Sequence, residues 1–481
     1  MAPKTTLNAK NLEALGAERL AELLIEISTG DAAIKRRLRL ELAGAQSPGD
    51  VAKEVRKRLA TIARSRSFVD WQNKRTLTDD LEVQRRAIVE TIGKSDPKEA
   101  LNLLWQFMGL AESVYNRCDD SSGMVGGIFQ DACQSLGDLA SRAKTDPVRL
   151  ADQTYDAMVA NGYGQFDGLI ATLAPALGQQ GLAHLKQRII DLGNQPKTRP
   201  ADKDRVTVGW GSGSGRIYQD QIEDTSRVST VRRALQDIAD AQGDADAYIA
   251  QYDEKTRKVP KIAAEIAERL LAAGRAEDAL TLLDAAEHRQ TDWIWPDFSW
   301  EDARIAALDA LSRGAEAQAA RWSVFEKSLS SKHLRDHLKR LPDFEDVIAE
   351  EKALDYAEKV KSALSALSFL VAWPALDRAA KIVLARHGEL DGNHYELLSL
   401  AADALAGKYP LAATLVLRAM IDYCLTNSKT SRYKHAARHL LECSSLAATI
   451  SDYGSHSDHN VYETRLRREH GKKTSFWNLI S

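Results

Sequence analysis

Residues 261–287 read KIAAEIAERLLAAGRAEDALTLLDAAE, and this stretch decides the fold. Ile262, Ile266 and Leu270 recur at every fourth position. They share one helical face, because residues i and i+4 lie one above the other on a 3.6-residue turn. Gly274 interrupts the pattern, and Ala279, Leu280 and Leu283 resume it. The segment therefore predicts a helix, a glycine turn and a second helix. Residues 302–327, turning at Gly314, and 395–425, turning at Gly407-Lys408-Tyr409-Pro410, repeat the plan. Helix pairs of this size cannot bury their apolar faces alone, so they are expected to stack on one another.

Composition carries the helical reading to the whole chain. Ala, Leu, Glu, Lys and Arg dominate its 481 residues, while aromatic residues make up 6%, a balance that favours helix over strand. A formal charge of -3 and a pI near 6.4 argue against a protein that coats nucleic acid or membrane with its whole surface. Four cysteines, Cys118, Cys133, Cys424 and Cys443, with no CxxC pair, suit a reducing compartment, so a cytoplasmic location is expected. The first residues lack the apolar core of a secretory signal. The most apolar stretch, 363–375, contains Pro374; it is too short to span a bilayer and predicts a buried helix.

Pro48, Pro97, Pro147 and Pro196 are almost evenly spaced, and the first three follow Ser47, Asp96 and Asp146. A capping oxygen followed by proline at N1 is how a helix begins, so each proline is expected to open a new helix pair. Between the halves, Gln195-Pro196, Arg199-Pro200 and the run Gly209-Trp-Gly-Ser-Gly-Ser-Gly215 break the pattern. The organisation read from sequence is an N-terminal helical-repeat domain over 1–195, a linker with a Gly-rich segment over 196–229, and a C-terminal helical domain over 230–481.

The helix pair of 261–287 resembles a tetratricopeptide hairpin. The fold expected is all-α: an elongated superhelical stack of antiparallel helix pairs, a tetratricopeptide-like or HEAT-like solenoid. Lys408-Tyr409-Pro410, Leu417-Arg418-Ala419-Met420, the run Arg432 to Leu440, Arg465-Leu466-Arg467, His470-Gly471-Lys472-Lys473 and Phe476-Trp477 together resemble an uncharacterised bacterial helical-repeat family, a domain of unknown function also found C-terminal to SWIM-type zinc fingers. The resemblance implies a fold and no activity. The CxC and CxH of the SWIM signature are absent from this sequence, so no nucleic-acid role is carried over.

Four groups of residues are candidate sites. Lys35, Arg36, Arg37, Arg56 and Arg58, in a stretch where basic residues outnumber acidic ones, could grip a phosphate backbone with Trp71 beside them, or simply form solvated helix faces. Asp119, Asp120, Tyr163, Phe166, Trp210 and Tyr218 lie in glycine-rich loops that could line one rim of a helical stack and meet a ligand there, or merely close turns. Cys424, His435, His439 and Cys443 are the metal candidates: histidines four apart share a helical face and could hold zinc. Cys443 lies about 12 Å along the axis from His435, so completion by Cys424 or by His456 and His459 would be needed; the alternative is an inward-facing structural stripe. The Gly209–Gly215 run lacks the Lys-Ser/Thr of a phosphate loop and reads as a linker more readily than a nucleotide cradle. Trp293, Trp295, Phe298 and Trp300 are expected to plug a joint between repeats, or to form an exposed docking cluster.

No HExxH, GxSxG or GxxxxGK[ST] occurs, and the protein is not expected to be an enzyme. The leading expectation is an interaction scaffold binding a protein partner through a helical groove. The alternative is a nucleic-acid-associated protein using the basic 31–75 face, with a metal-dependent or small-molecule-binding enzyme behind it. No membrane partner is expected, and the sequence leaves the oligomeric state open.

Overall fold

Pro48, Pro97 and Pro147 each occupy the first turn of a helix in the computed structural model, which describes residues 6–70, 72, 74–196, 199–211, 215–286 and 297–480. Ser47 Oγ accepts from the Asp50 amide at 3.2 Å, Asp96 Oδ1 from Glu99 at 3.0 Å and Asp146 Oδ1 from Arg149 at 2.8 Å. Each cap satisfies one of the amides that a helix start leaves unpaired. Asp96→Ala is expected to cost about 1 kcal/mol, read as a lowered denaturant midpoint with an unchanged slope. Pro196 differs: it follows the helix ending at Gly193 and is not itself helical.

The chain divides into two compact units, Met1–Arg257 and Lys258–Ser481. In the first, helices Pro48–Arg64, Pro97–Met108, Met124–Ala143, Pro147–Val159, Leu169–Gly193 and Gln219–Gln242 pack in succession around one core. Phe107 and Phe129, both fully buried, sit 5.3 Å apart at its centre. Helix Lys74–Arg86 runs on through a π-helical turn, Ala87–Ile92. Gly137 lets two helices close, since a Cβ there would lie 2.3 Å from the Thr172 carbonyl oxygen.

The stretch read as a linker carries more structure than its glycines suggest. Thr207–Gly211 and Gly215–Tyr218 pair as an antiparallel hairpin, and helix Gln219–Gln242 follows at once. The hairpin is pinned at its base by Arg205, which grips Asp220 with two nitrogens at 3.1 and 2.9 Å and lies 3.7 Å from the Tyr218 ring centroid. With the isolated bridge Val69–Cys118, this hairpin is the extended pairing among the described residues of an otherwise helical chain.

In the second unit, Pro260–Ala272 and Ala276–Asp284 flank Gly274, whose φ of +74° makes the expected turn. Ser299–Ala310 and Gly314–Ser328 form the next pair; here Gly314 begins the second helix, and Ser312 at φ +58° turns the chain instead. Ala363–Ala372 is the buried helix expected of the apolar stretch. Leu376–Arg386, Tyr395–Ala406, Pro410–Thr426, Tyr433–Ala447, His459–His470 and Thr474–Trp477 complete the unit around a core containing Phe369, Met420 and Phe476. No helix among the described residues is long and apolar enough to cross a membrane.

Candidate functional site

Helix Pro410–Thr426 is buried on nearly every side, and Arg418 and Asp422 are its two charged residues. At i and i+4 they share a face, and that face lines a cleft of about 750 Å³. The other walls are Leu384–Gly392, where helix Leu376–Arg386 ends, and Ser455–Ser457 with Tyr462 and Arg465 of helix His459–His470. Gly392 seats the first wall: the turn lies so close to the helix that a Cβ at this residue would fall 2.1 Å from the Ala419 carbonyl oxygen.

Within the cleft Asp422 is fully occupied, whereas Arg418 and His387 keep buried nitrogens without partners among the described residues. Asp422 takes Arg465 Nη2 on both oxygens, at 2.7 and 2.8 Å, and accepts the Tyr462 hydroxyl at 3.0 Å. Burial, with Asp422 beside it, raises the Tyr462 phenol well above its ordinary pKa, so it stays a donor. Asp391, which is exposed, accepts the Asn393 amide at 2.9 Å. Arg418 is only 5% exposed. Its Nη1 donates to the Ser457 carbonyl at 2.7 Å and its guanidinium stacks 4.3 Å from the Tyr462 centroid, while Nε and Nη2 have no hydrogen-bond partner among the described residues. His387 and His456 meet edge to face with centroids 4.8 Å apart, and His387 Nδ1 is likewise buried without a partner. Burial, with His387 and Arg418 nearby, holds the His456 imidazole below its ordinary pKa.

A smaller cavity of about 150 Å³ shares Gly392 and Tyr423 with this cleft, and its lining brings together Cys424, His435 and His439 with Tyr395, Arg432 and Arg438. Cys443 is fully buried outside that lining, its thiol 3.9 Å from the Thr414 carbonyl oxygen, while the Cys424 thiol meets the Lys429 carbonyl oxygen at 3.5 Å. Burial pushes Cys443 up to about 12 and Cys424 upward as well, which keeps both as thiols. The three cavity residues and Cys443 therefore do not converge on one point, and no group of three or more His, Cys, Asp or Glu suited to a metal ion occurs among the described residues.

The basic stretch is partly neutralised by acids that the sequence places outside it. Arg56 pairs with Glu99, and Arg58 grips Asp80. Arg36 lines a cavity of about 230 Å³ with Arg39, Lys57 and Arg58, whereas Arg37 lines a neighbouring one and Lys35 is exposed. Trp71 lies outside the described residues. Of the loop residues, Asp119 and Asp120 accept amides of their own turn, Asp120 capping Val125 and Gly126 at 3.0 and 2.8 Å. Tyr163 stacks on Tyr115 at 4.9 Å and donates to Asn116, and Phe166 is buried 6.2 Å from Trp105. Tyr163 links the two turns, while Asp119 and Asp120 use their carboxylates within their own turn. Trp210, 71% exposed, and Tyr218 sit apart on the hairpin. In the tryptophan-rich stretch, Trp293 and Trp295 lie outside the described residues, while Phe298 packs on His333 and Trp300 donates to the Leu283 carbonyl at 3.1 Å.

His387, Arg418 and Asp422 were not singled out as site residues by sequence reasoning, and His456 was considered only as a completing ligand for the metal candidate. One signal was present: two charges, one turn apart, inside the apolar run from Leu411 to Leu425. A family model described as a family of unknown function (DUF6880) matches residues 2–479. No curated protein matches the chain.

Proposed function

We propose, from the premise that this chain belongs to the DUF6880 family of unknown function, that it is an interaction scaffold. Its helix pairs stack in tetratricopeptide-like fashion, and a segment of a protein partner enters the cleft between Leu384–Gly392, Pro410–Thr426 and Ser455–Arg465. The observation that carries this reading is Arg418, buried at the cleft wall with two nitrogens unpartnered. Leaving donors of a buried charge unmet is costly, and a partner's acceptors would repay that cost. Sites of this kind combine concavity with a few convergent polar groups, and the cleft has both.

Ala385 and Thr426 line the cleft and are otherwise exposed. The double substitution Ala385→Trp/Thr426→Trp is expected to fill it without disturbing the core. Wild-type protein purified gently from its own lysate should retain a stoichiometric protein that the filled variant loses at unchanged thermal midpoint. Equal capture by both would overturn the cleft as the docking site.

The second reading, a nucleic-acid-associated protein, is favoured by one observation, the convergence of Arg36, Arg39, Lys57 and Arg58 on a single cavity. It ranks second because Arg58 is committed to Asp80. Salt-sensitive binding of duplex or single-stranded oligonucleotides, lost in Arg36→Glu/Arg39→Glu, would move it to first place.

A further inference from the structure

We infer that the cleft is a phosphoryl-binding site: Arg418, His387 and His456 together seat a phosphate group carried by its ligand. The inference rests on the reading that this cleft is where the ligand binds, and it names the chemistry recognised there.

Three observations converge. Arg418, 5% exposed, keeps Nε and Nη2 buried in the cleft wall without hydrogen-bond partners among the described residues. A guanidinium offers its nitrogens as a planar fork that matches two oxygens of an oxyanion. His387 and His456 come from separate elements yet meet in the same cleft with ring centroids 4.8 Å apart, and His387 Nδ1 is buried without a partner among the described residues. Finally, neither acid of the cleft bonds Arg418: Asp422 is taken by Arg465 and Tyr462, and Asp391 accepts the Asn393 amide. What remains is one buried guanidinium, Arg418, with no carboxylate bonded to it.

Geometry favours phosphoryl over carboxylate. A carboxylate offers two oxygens in a plane and one charge. A phosphate monoester offers three free oxygens arranged tetrahedrally and close to two charges. Donors here approach from different sides: Arg418 from helix Pro410–Thr426, His387 from the turn after helix Leu376–Arg386, and His456 from the loop before helix His459–His470, with Ser455 and Ser457 beside it. Three walls of donors suit three oxygens.

The test is calorimetric titration of the full chain with inorganic phosphate, with a phosphoserine peptide and with acetate at matched ionic strength. Saturable one-site binding of phosphate or the phosphopeptide is expected, with acetate at least about tenfold weaker. Tighter binding of the peptide would assign the phosphate to a modified side chain of a partner, and tighter binding of inorganic phosphate to a free small phosphate ester. Arg418→Met and His387→Gln/His456→Gln should each weaken binding about tenfold or more. Arg418→Met keeps its thermal midpoint or raises it, because it removes a buried charge that has no carboxylate bonded to it. Should R418M fail to fold, the double histidine variant carries the same test. Acetate binding as well as phosphate, or undiminished phosphate binding in the folded variants, would overturn the inference. Retained partner capture without phosphate binding would sink this inference alone. Phosphate binding with capture indifferent to the filled cleft would sink the scaffold reading alone.

Discussion

Gly392→Ala is expected to destabilise the unit Lys258–Ser481 by about 3 kcal/mol, at the upper end for an overpacked site, and to lower its thermal midpoint by roughly 6–12 °C for a unit of this size. The added methyl would lie 2.1 Å from the Ala419 carbonyl oxygen, 2.7 Å from its carbonyl carbon and 2.7 Å from Tyr423 Cβ. Two of these obstacles are backbone atoms of a helix buried on almost all sides, so no rotamer change relieves the clash. Either the turn at Asp391–Gly392 lifts away or helix Pro410–Thr426 shifts, and both open the wall of the cleft. Gly388, on the same wall, has nothing within 4 Å of a built Cβ. Gly388→Ala should therefore leave the midpoint within about 0.5 kcal/mol of wild type. The comparison by differential scanning calorimetry isolates close approach from any general effect of changing glycine. A midpoint for G392A equal to that of G388A would mean that the turn does not rest on the helix.

The contrast between what the residues announced and what they concealed follows the range of the interactions. Ser47-Pro48, Asp96-Pro97 and Asp146-Pro147 are legible because a cap and its helix lie within four residues of each other, and Gly274 is legible because a left-handed turn needs its missing Cβ. The hairpin at 207–218 was hidden by its own glycines, which read as linker, and by the distant clamp of Arg205 on Asp220 that holds its base. The basic stretch is subject to the same limit: a count along 31–75 cannot include Asp80 and Glu99, which the fold brings to Arg58 and Arg56. The cleft was least legible of all. His387, Arg418 and His456 belong to three different elements, and nothing local to any of them marks a site except the charge of Arg418 in an apolar helix. The stripe His435, His439 and Cys443 shows the opposite error, since helical spacing is plain in sequence but says nothing of which side faces the core. His439 and Cys443 are buried and His435 is exposed.

That burial sets the other large effect, a loss of stability in mild acid. His439 is 6% exposed, its Nδ1 has no hydrogen-bond partner among the described residues, and burial, with Arg438 and His435 beside it, lowers its pKa from 6.5 to about 4. Above pH 6.5 the imidazole is neutral folded or unfolded, so it contributes no pH slope. Below 6.5 the unfolded chain takes up a proton that the folded chain refuses until about pH 4. Stability should therefore fall across that window by about 1.4 kcal/mol per pH unit, roughly 3 kcal/mol in all. Glu442, whose Oε2 lies 3.8 Å from His439 Nδ1, works the other way: burial and Asp403 raise its pKa, so its folded form binds a proton early and recovers part of the loss. The His439 contribution is therefore read as a difference between proteins, not from one acid profile. His439→Gln should flatten the fall in urea midpoint between pH 6.5 and 4, while His435→Gln, on the exposed side of the same helix, should keep the wild-type slope. The same pair separates the structural stripe from a shared metal. A zinc ion held by both histidines would raise the midpoint at neutral pH in wild type, and either substitution would abolish that rise. A buried neutral His439 predicts instead that zinc leaves all three midpoints alike and that the acid slope follows His439 only.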